Sequence, residues 1–308
     1  MADKVAASDF KRKKKLYSSD RYMPVVLALF AGLSILTTIG IVLILVTEAY
    51  HFFEVVPFWD FITGTKWTPL FGGDQQAFGV LPLVVGTFLI TVIACIVAIP
   101  IGLGSAIYLS EYAPHKIRTI LKPVLEILAG IPTIVYGFFA LTFVTPIIKE
   151  LFPQTMMFNA LSAGLVVGVM IIPMISSLSE DAMNAVPRSL RDAGYALGST
   201  KLEVAIKIVV PAAFSGIVSS FVLGISRAIG ETMIVTVAAG LTPNMSFNPL
   251  ESVQTLTAYI VSVSSGDTTY GSVPYLTIYS VGITLFVLTL IMNIIAGYIS
   301  RKFREEYQ

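Results

Sequence analysis

Arg227 and Glu231 stand four residues apart within an otherwise apolar stretch. A charge in such a setting costs at least a few kcal/mol unless it faces protein, water or a partner. On a helix this spacing predicts both side chains on one face, within reach of each other. A guanidinium presents a planar fork of N–H donors that suits the oxygens of an anion such as phosphate, and it stays charged at any relevant pH. Two readings follow from the residues. In one, the pair neutralises itself and fixes helix packing, although Arg precedes Glu, the less favourable order against the helix dipole. In the other, Arg227 lies in a solute pathway, and Glu231 holds it in place and keeps anion binding weak enough for release.

Other chemistry is sparse. Glu126, one turn from Lys122, reads as a salt bridge before a pathway residue. Cys95 is the single cysteine, so no disulfide can form within the chain. His51 and His115 are far apart, and no His, Cys, Asp or Glu cluster occurs at ligand spacing, so no metal site and no catalytic residue are expected. No G-x-x-x-x-G-K-[ST] loop occurs, so the chain is expected not to hydrolyse ATP and to carry no cofactor of its own. A net charge of +1 says nothing by itself about nucleic acid, because a basic footprint requires clustering on one surface, and no nucleic-acid partner is expected.

The elements that must position Arg227 are set by composition. Of the 308 residues 55% are hydrophobic and 13% charged, with a mean hydropathy of +0.82. Soluble domains carry about twice that charge, which excludes a soluble globular enzyme. Six apolar runs stand out, at about 24–46, 81–109, 124–148, 160–178, 212–241 and 276–299. Each can cross a hydrocarbon core of about 30 Å as a helix, and none shows the alternation of a barrel strand. The expected fold is an all-α, polytopic membrane protein with six transmembrane helices. A basic segment, residues 1–23, precedes a permease domain of residues 24–308.

Lys and Arg set the orientation. Of the 20, only Lys66, Lys149 and Arg227 lie outside four segments: the N-terminus with Lys4, Lys11–Lys15 and Arg21, the connector with Lys116, Arg118 and Lys122, the connector with Arg188, Arg191, Lys201 and Lys207, and the C-terminus with Arg301, Lys302 and Arg304. The positive-inside rule then predicts both termini in the cytoplasm. The first run exceeds a signal-peptide core and lacks an A-x-A-like exit, which favours an uncleaved anchor. On the outer side, Phe52, Phe53, Phe58, Trp59 and Trp67 read as headgroup-level anchors, with docking of a soluble partner as the alternative.

The cytoplasmic connector 179–211 reads as ordered. Pro187 can start a helix, Leu190, Ala193, Gly194 and Leu197 share a face, and Gly198 supplies a stop. Thr200 and Glu203 form a T-x-x-E capping box for a second helix that ends near Pro211. Ala193 and Gly194 would leave a notch where another backbone could approach. Composition leaves open whether this is a docking surface or a passive connector.

Asp192-Ala193-Gly194, then Gly198 after three residues, then Ile208-Val209-Val210-Pro211 after nine, resembles the EAA loop of ABC importer permeases. Asp192, Gly194 and Val210 depart conservatively from its Glu, Ala and Leu. Glu111-Tyr112-Ala113-Pro114, the stretch from Ala129 to Gly137, and Arg227-Ala228-Ile229-Gly230-Glu231-Thr232-Met233 resemble phosphate-importer permeases. Trp67-Thr68-Pro69, Phe78 to Pro82, and Met233 with Val235 and Thr236 resemble the PstC-type subunit more than its PstA-type sister. The resemblance implies a type I importer permease of a prokaryotic cytoplasmic (inner) membrane. Asp192, Ala193, Gly194, Gly198, Ile208 and Pro211 would form the ATPase-coupling loop, and Arg227 and Glu231 would be transport residues. It implies as partners a homologous PstA-type permease, two ATP-binding subunits that hold the ATP and magnesium, an external phosphate-binding protein, phosphate and the bilayer.

Importing a dianion against a negative interior costs about 2.3 kcal/mol per charge per 100 mV, so an outside energy source is required. Three rival readings remain: the same machine carrying sulfate, molybdate or tungstate, an ion-coupled secondary carrier, and a membrane-embedded enzyme. The second leaves the connector unexplained and has few protonatable residues; the third lacks a side-chain cluster.

Overall fold

The computed structural model describes residues 22–266 and 268–302. The basic residues Lys4, Lys11–Lys15, Arg21 and Arg304, and nearly all of the segment 1–23, lie outside them. The described residues are almost entirely helical, and their one extended pairing is an isolated bridge between Trp67 and Phe78.

Apart from a 3-10 turn at Gly73–Gln75, twelve helices follow in chain order among the described residues: α1 Met23–Val55, α2 Phe58–Thr63, α3 Leu81–Tyr112, α4 His115–Gly130, α5 Thr133–Leu151, α6 Ala160–Asn184, α7 Arg188–Ala196, α8 Lys201–Ala212, α9 Phe214–Ile229, α10 Met233–Ala238, α11 Leu256–Ser264 and α12 Val273–Lys302. Among the described residues, α1, α3, α5, α6 and α12 are each long and apolar enough to cross a membrane, and α8 with α9 makes a sixth candidate bent by 74°.

Two of the six expected spans are not continuous. The run 124–148 breaks at Ile131–Pro132, where both residues are extended. Pro132 has no N–H and forces the residue before it out of helical geometry. Residues 124–130 thus finish α4, a helix with no buried residue, and the apolar span is α5. Pro100 and Pro173, by contrast, lie inside α3 and α6 without ending them. The run 212–241 begins as a helix only at Phe214, stops at Ile229, and resumes as the short α10. The run 160–178 continues as α6 to Asn184, so the connector begins inside a helix.

The principal core joins α3 and α6 through small residues. Ala94, Ala98, Ala163, Val167, Ile171 and Ile175 are buried there. A Cβ on Gly168 would meet the Ala94 carbonyl oxygen at 2.9 Å and the Val97 Cβ at 3.1 Å. Gly164 and Gly168 form a small-x-x-x-small pair, which lets helix backbones approach where lipid gives no hydrophobic drive. α9 lies on the same core, with Gly224 against Ile175. α1 packs along α12, enters the outer core through Phe52 near its C-terminal end, and leaves most of its apolar surface exposed, as a lipid-facing helix would.

A second core corrects the reading of the outer aromatics. Trp67 is 2% exposed and packs edge-to-face on Phe61 and Tyr259, with Phe52 fully buried beside them. These rings close a folded cap, in which chain segments around α2 pack on α11. Trp59 is 72% exposed and, with Phe58, alone keeps the geometry of a headgroup anchor.

Replacing Gly168 with Leu should wedge α3 from α6. Overpacking of this kind costs about 1–3 kcal/mol, and should appear as a lower unfolding temperature in detergent, whereas Gly104→Ala, with open space around its Cβ position, should leave it unchanged.

Candidate functional site: a broken span and a structured connector

α9 ends because Gly230 and Glu231 turn their N–H groups back to the carbonyls of Ser226 and Ala228. α10 then starts afresh at Met233. Its first N–H groups lack helical partners, and Glu231 supplies one. Its carboxylate Oε1 accepts from the N–H of Met233 at 3.2 Å and of Ile234 at 3.3 Å. The Thr257 hydroxyl donates to the Glu231 carbonyl at 2.6 Å, which ties the break to α11. Glu231 is 3% exposed.

This geometry overturns the expected pairing. Arg227 and Glu231 are not on one face of one helix, because the helix stops between them. Among the described residues no carboxylate lies within 4 Å of the Arg227 guanidinium. Arg227 sits in the last turn of α9, where a cation complements the helix dipole. The rest of α9 is committed: Gly224 and Ala228 are buried, and Ser226 and Ser219 donate to Asn293 and Ser300 of α12. Arg227 occupies the remaining, exposed face. Glu231 therefore acts on the backbone, and Arg227 stands exposed with no carboxylate within 4 Å among the described residues.

At the other end of the bundle the connector folds as its sequence predicts. Pro187 precedes α7, Gly198 takes φ +82°, and Thr200 with Glu203 forms a reciprocal capping box at the start of α8. The backbone N–H of Thr200, and then Lys207 at 3.1 Å, hold the Glu203 carboxyl down to about 2. The notch is a correction. A Cβ on Gly194 would lie 2.5 Å from Cδ1 of Ile208 and 3.1 Å from Cγ2 of Val204, so α8 itself fills the space that was expected to receive a partner. The expected shared face also splits: Gly194 is buried, whereas Leu197 is 88% exposed. Asp192, Ala193, Gly198 and Pro211 are exposed, and Ile208 is half-buried.

Four ion contacts, made by three carboxylates, were not legible in the sequence. Glu111 at the end of α3 pairs with Arg191 of α7. Glu180, whose side chain is 1% exposed, pairs with Arg118 and lies 3.6 Å from Lys122. Lys122 also lies 3.6 Å from Asp181. Lys122 thus faces α6 and makes no ion pair with Glu126, which is exposed. Each pair joins residues more than 55 positions apart, a distance at which periodicity carries no signal.

Substituting Glu231 with Gln keeps an acceptor oxygen for Met233 and Ile234 and should hold the unfolding temperature near wild type. Glu231→Ala should lower it, by the about 1 kcal/mol typical of a lost helix cap, and thermal melts of the two purified variants separate the cases.

Residues 98–305 match the family described as binding-protein-dependent transport system inner membrane component. The chain is 37% identical to the probable ABC transporter permease protein YqgH of Bacillus subtilis, over 79% of this chain and 78% of that one. It is 34% identical to the phosphate transport system permease protein PstC of Xylella fastidiosa, over 77% of each chain. It is also 34% identical to PstC 1 of Mycobacterium tuberculosis, over 79% of this chain and 81% of that one. In fold it resembles a bacterial ABC transporter that imports alginate, at a TM-score of 0.63 and 13% identity over 94% of this chain and 100% of that one. It likewise resembles the MetNI methionine ABC transporter, at a TM-score of 0.55 and 19% identity over 74% and 95%. With the family's pattern running from α3 through the connector and the broken span to α12, the chain belongs to the binding-protein-dependent transport system inner membrane components.

Proposed function

We propose that this chain is the PstC-type permease of an ATP-driven importer of inorganic phosphate, set in the inner membrane of a prokaryote with both termini in the cytoplasm. The observation that supports it is the Arg227 guanidinium, which stands at a helix break with no carboxylate within 4 Å among the described residues, in a sequence whose relatives are phosphate transport permeases. A guanidinium within a span needs water, a partner group or an anion around it. Phosphate oxygens match its fork of donors. Because Glu231 is spent on the backbone of α10, weak binding and release depend on water and on groups from the second permease.

The pathway is completed by a homologous PstA-type permease. An external phosphate-binding protein delivers the anion, and two ATP-binding subunits, with ATP and magnesium, supply the energy. The exposed side of α7, with Asp192, Ala193 and Leu197, is where an ATP-binding subunit seats. The chain itself carries out no covalent step and holds no cofactor.

Labelled phosphate uptake by proteoliposomes containing the co-purified subunits and the binding protein tests this reading. Uptake should require internal ATP and resist excess sulfate. Arg227→Ala should reduce it by about 10- to 100-fold, the worth of one charge-assisted hydrogen-bond partner, while the subunits still co-purify. Uptake that ignores ATP and follows an imposed ion gradient overturns the proposal, and full competition by sulfate or molybdate reassigns the solute. Leu197→Asp should separately lower recovery of the ATP-binding subunits on purification, by about tenfold for a buried apolar contact turned into a charge.

A further inference from the structure

Arg191 is the only side chain of α7 hydrogen-bonded to the ends of two long helices among the described residues. Its Nε and Nη2 donate to Glu111 Oε1 at 3.2 and 3.1 Å. Nη1 donates to the Val186 carbonyl at 2.6 Å, and Nη2 to the Met183 carbonyl at 2.8 Å. Glu111 lies in the last turn of α3, Met183 in the last turn of α6, and Val186 just beyond it. The terminal carbonyls of a helix have no partner within it and carry its partial negative charge. One planar cation therefore closes the end of α6 and neutralises a carboxylate at the end of α3. The side chains of Glu111 and Arg191 are 5% and 16% exposed, so the bonds are shielded from water.

The remaining contacts of the connector with the spans are of another kind. Leu190, Val204, Ile208 and Val209 pack on Ala106, Met183 and Val186, an apolar seam without hydrogen bonds, and the Lys201 ammonium sits over the Tyr112 ring at 5.1 Å, a contact without a fixed donor–acceptor direction. Apolar surfaces can slide, whereas four directional bonds from one rigid group define a single position. α3 and α6 also lie at the centre of the principal core, on which α5, α9 and α10 pack. A push on α7 would therefore reach the centre of the molecule through Arg191.

We infer that Arg191 is the positioning residue that makes α7 move as one body with α3 and α6, so that ATP-driven displacement of the connector becomes movement of the transport core, with Glu111 as its counter-charge. The inference rests on the importer reading above. A partner seats on the outward side of α7, at Asp192 and Leu197, while Arg191 grips the spans from the inward side. Lys at 191 would keep the charge, but its single ammonium cannot span all three acceptors.

The test measures phosphate uptake and ATP hydrolysis in the same proteoliposomes, with binding protein, for wild type, Arg191→Lys and the neutral double variant Glu111→Leu/Arg191→Met. The double variant avoids leaving one buried charge without its partner, which by itself can prevent folding. Both variants should co-purify with the ATP-binding subunits and hydrolyse ATP, but move about 3- to 30-fold less phosphate per ATP, the range of coupling changes for residues between two sites. A merely structural role would lower assembly, hydrolysis and uptake together and leave the ratio intact, which overturns the inference, as does an unchanged ratio at full activity. Wild-type vesicles without ATP-dependent uptake would instead overturn the importer reading, and the inference with it.

Discussion

In hydrocarbon every backbone N–H and C=O must find a partner within the protein, because an unsatisfied group costs several kcal/mol. This constraint decides where the chain can depart from a helix. Both interruptions of apolar runs carry their own compensation. At Ile131–Pro132 the Tyr136 hydroxyl reaches across the break and donates to the Leu128 carbonyl at 2.8 Å. At Gly230–Thr232 the Glu231 carboxylate takes two N–H groups of α10, and Thr257 takes the Glu231 carbonyl. The second arrangement has a consequence for charge. Held at the start of α10, the Glu231 carboxylate forms no ion pair with Arg227, so α9 ends in a cation with no carboxylate within 4 Å among the described residues.

The same constraint explains what was readable in the sequence. Apolar runs announced the helices because length and composition suffice to specify a span. The connector was legible almost to the residue: Pro187, Gly198 and the Thr200–Glu203 box act locally, and each stands where its spacing placed it. The breaks were not legible, because Pro132 breaks its run while Pro100 and Pro173 do not. Pro100 is exposed and Pro173 buried, so neither a proline's place in an apolar run nor its burial decides whether the helix ends there. For the same reason the spacing of Arg227 and Glu231 misled: four residues mean one face only if the helix is unbroken between them.

Small residues have two distinct uses here, and the sequence does not separate them. Gly164 and Gly168 admit α3 within the membrane, whereas Gly194 admits the Ile208 side chain of the connector's second helix. A notch at Ala193–Gly194 is therefore a feature of the isolated α7 and not of the folded loop. Once α8 fills it, the exposed remainder includes Asp192, Ala193, Tyr195 and Leu197.

Buried charge then distinguishes the two ends of the bundle. At the connector end, Glu111 with Arg191, and Glu180 with Arg118 and Lys122, neutralise one another across separate helices and bind the ends of α3, α4, α6 and α7 together. Such pairs add little net stability, but removing one member is costly, so they define position more than they contribute free energy. At the break in span five the opposite holds, with Arg227 left open. In the importer proposed above, such a chain is half of a pathway: rigid at the point of input, and chemically incomplete until an anion and a second permease supply what Arg227 lacks.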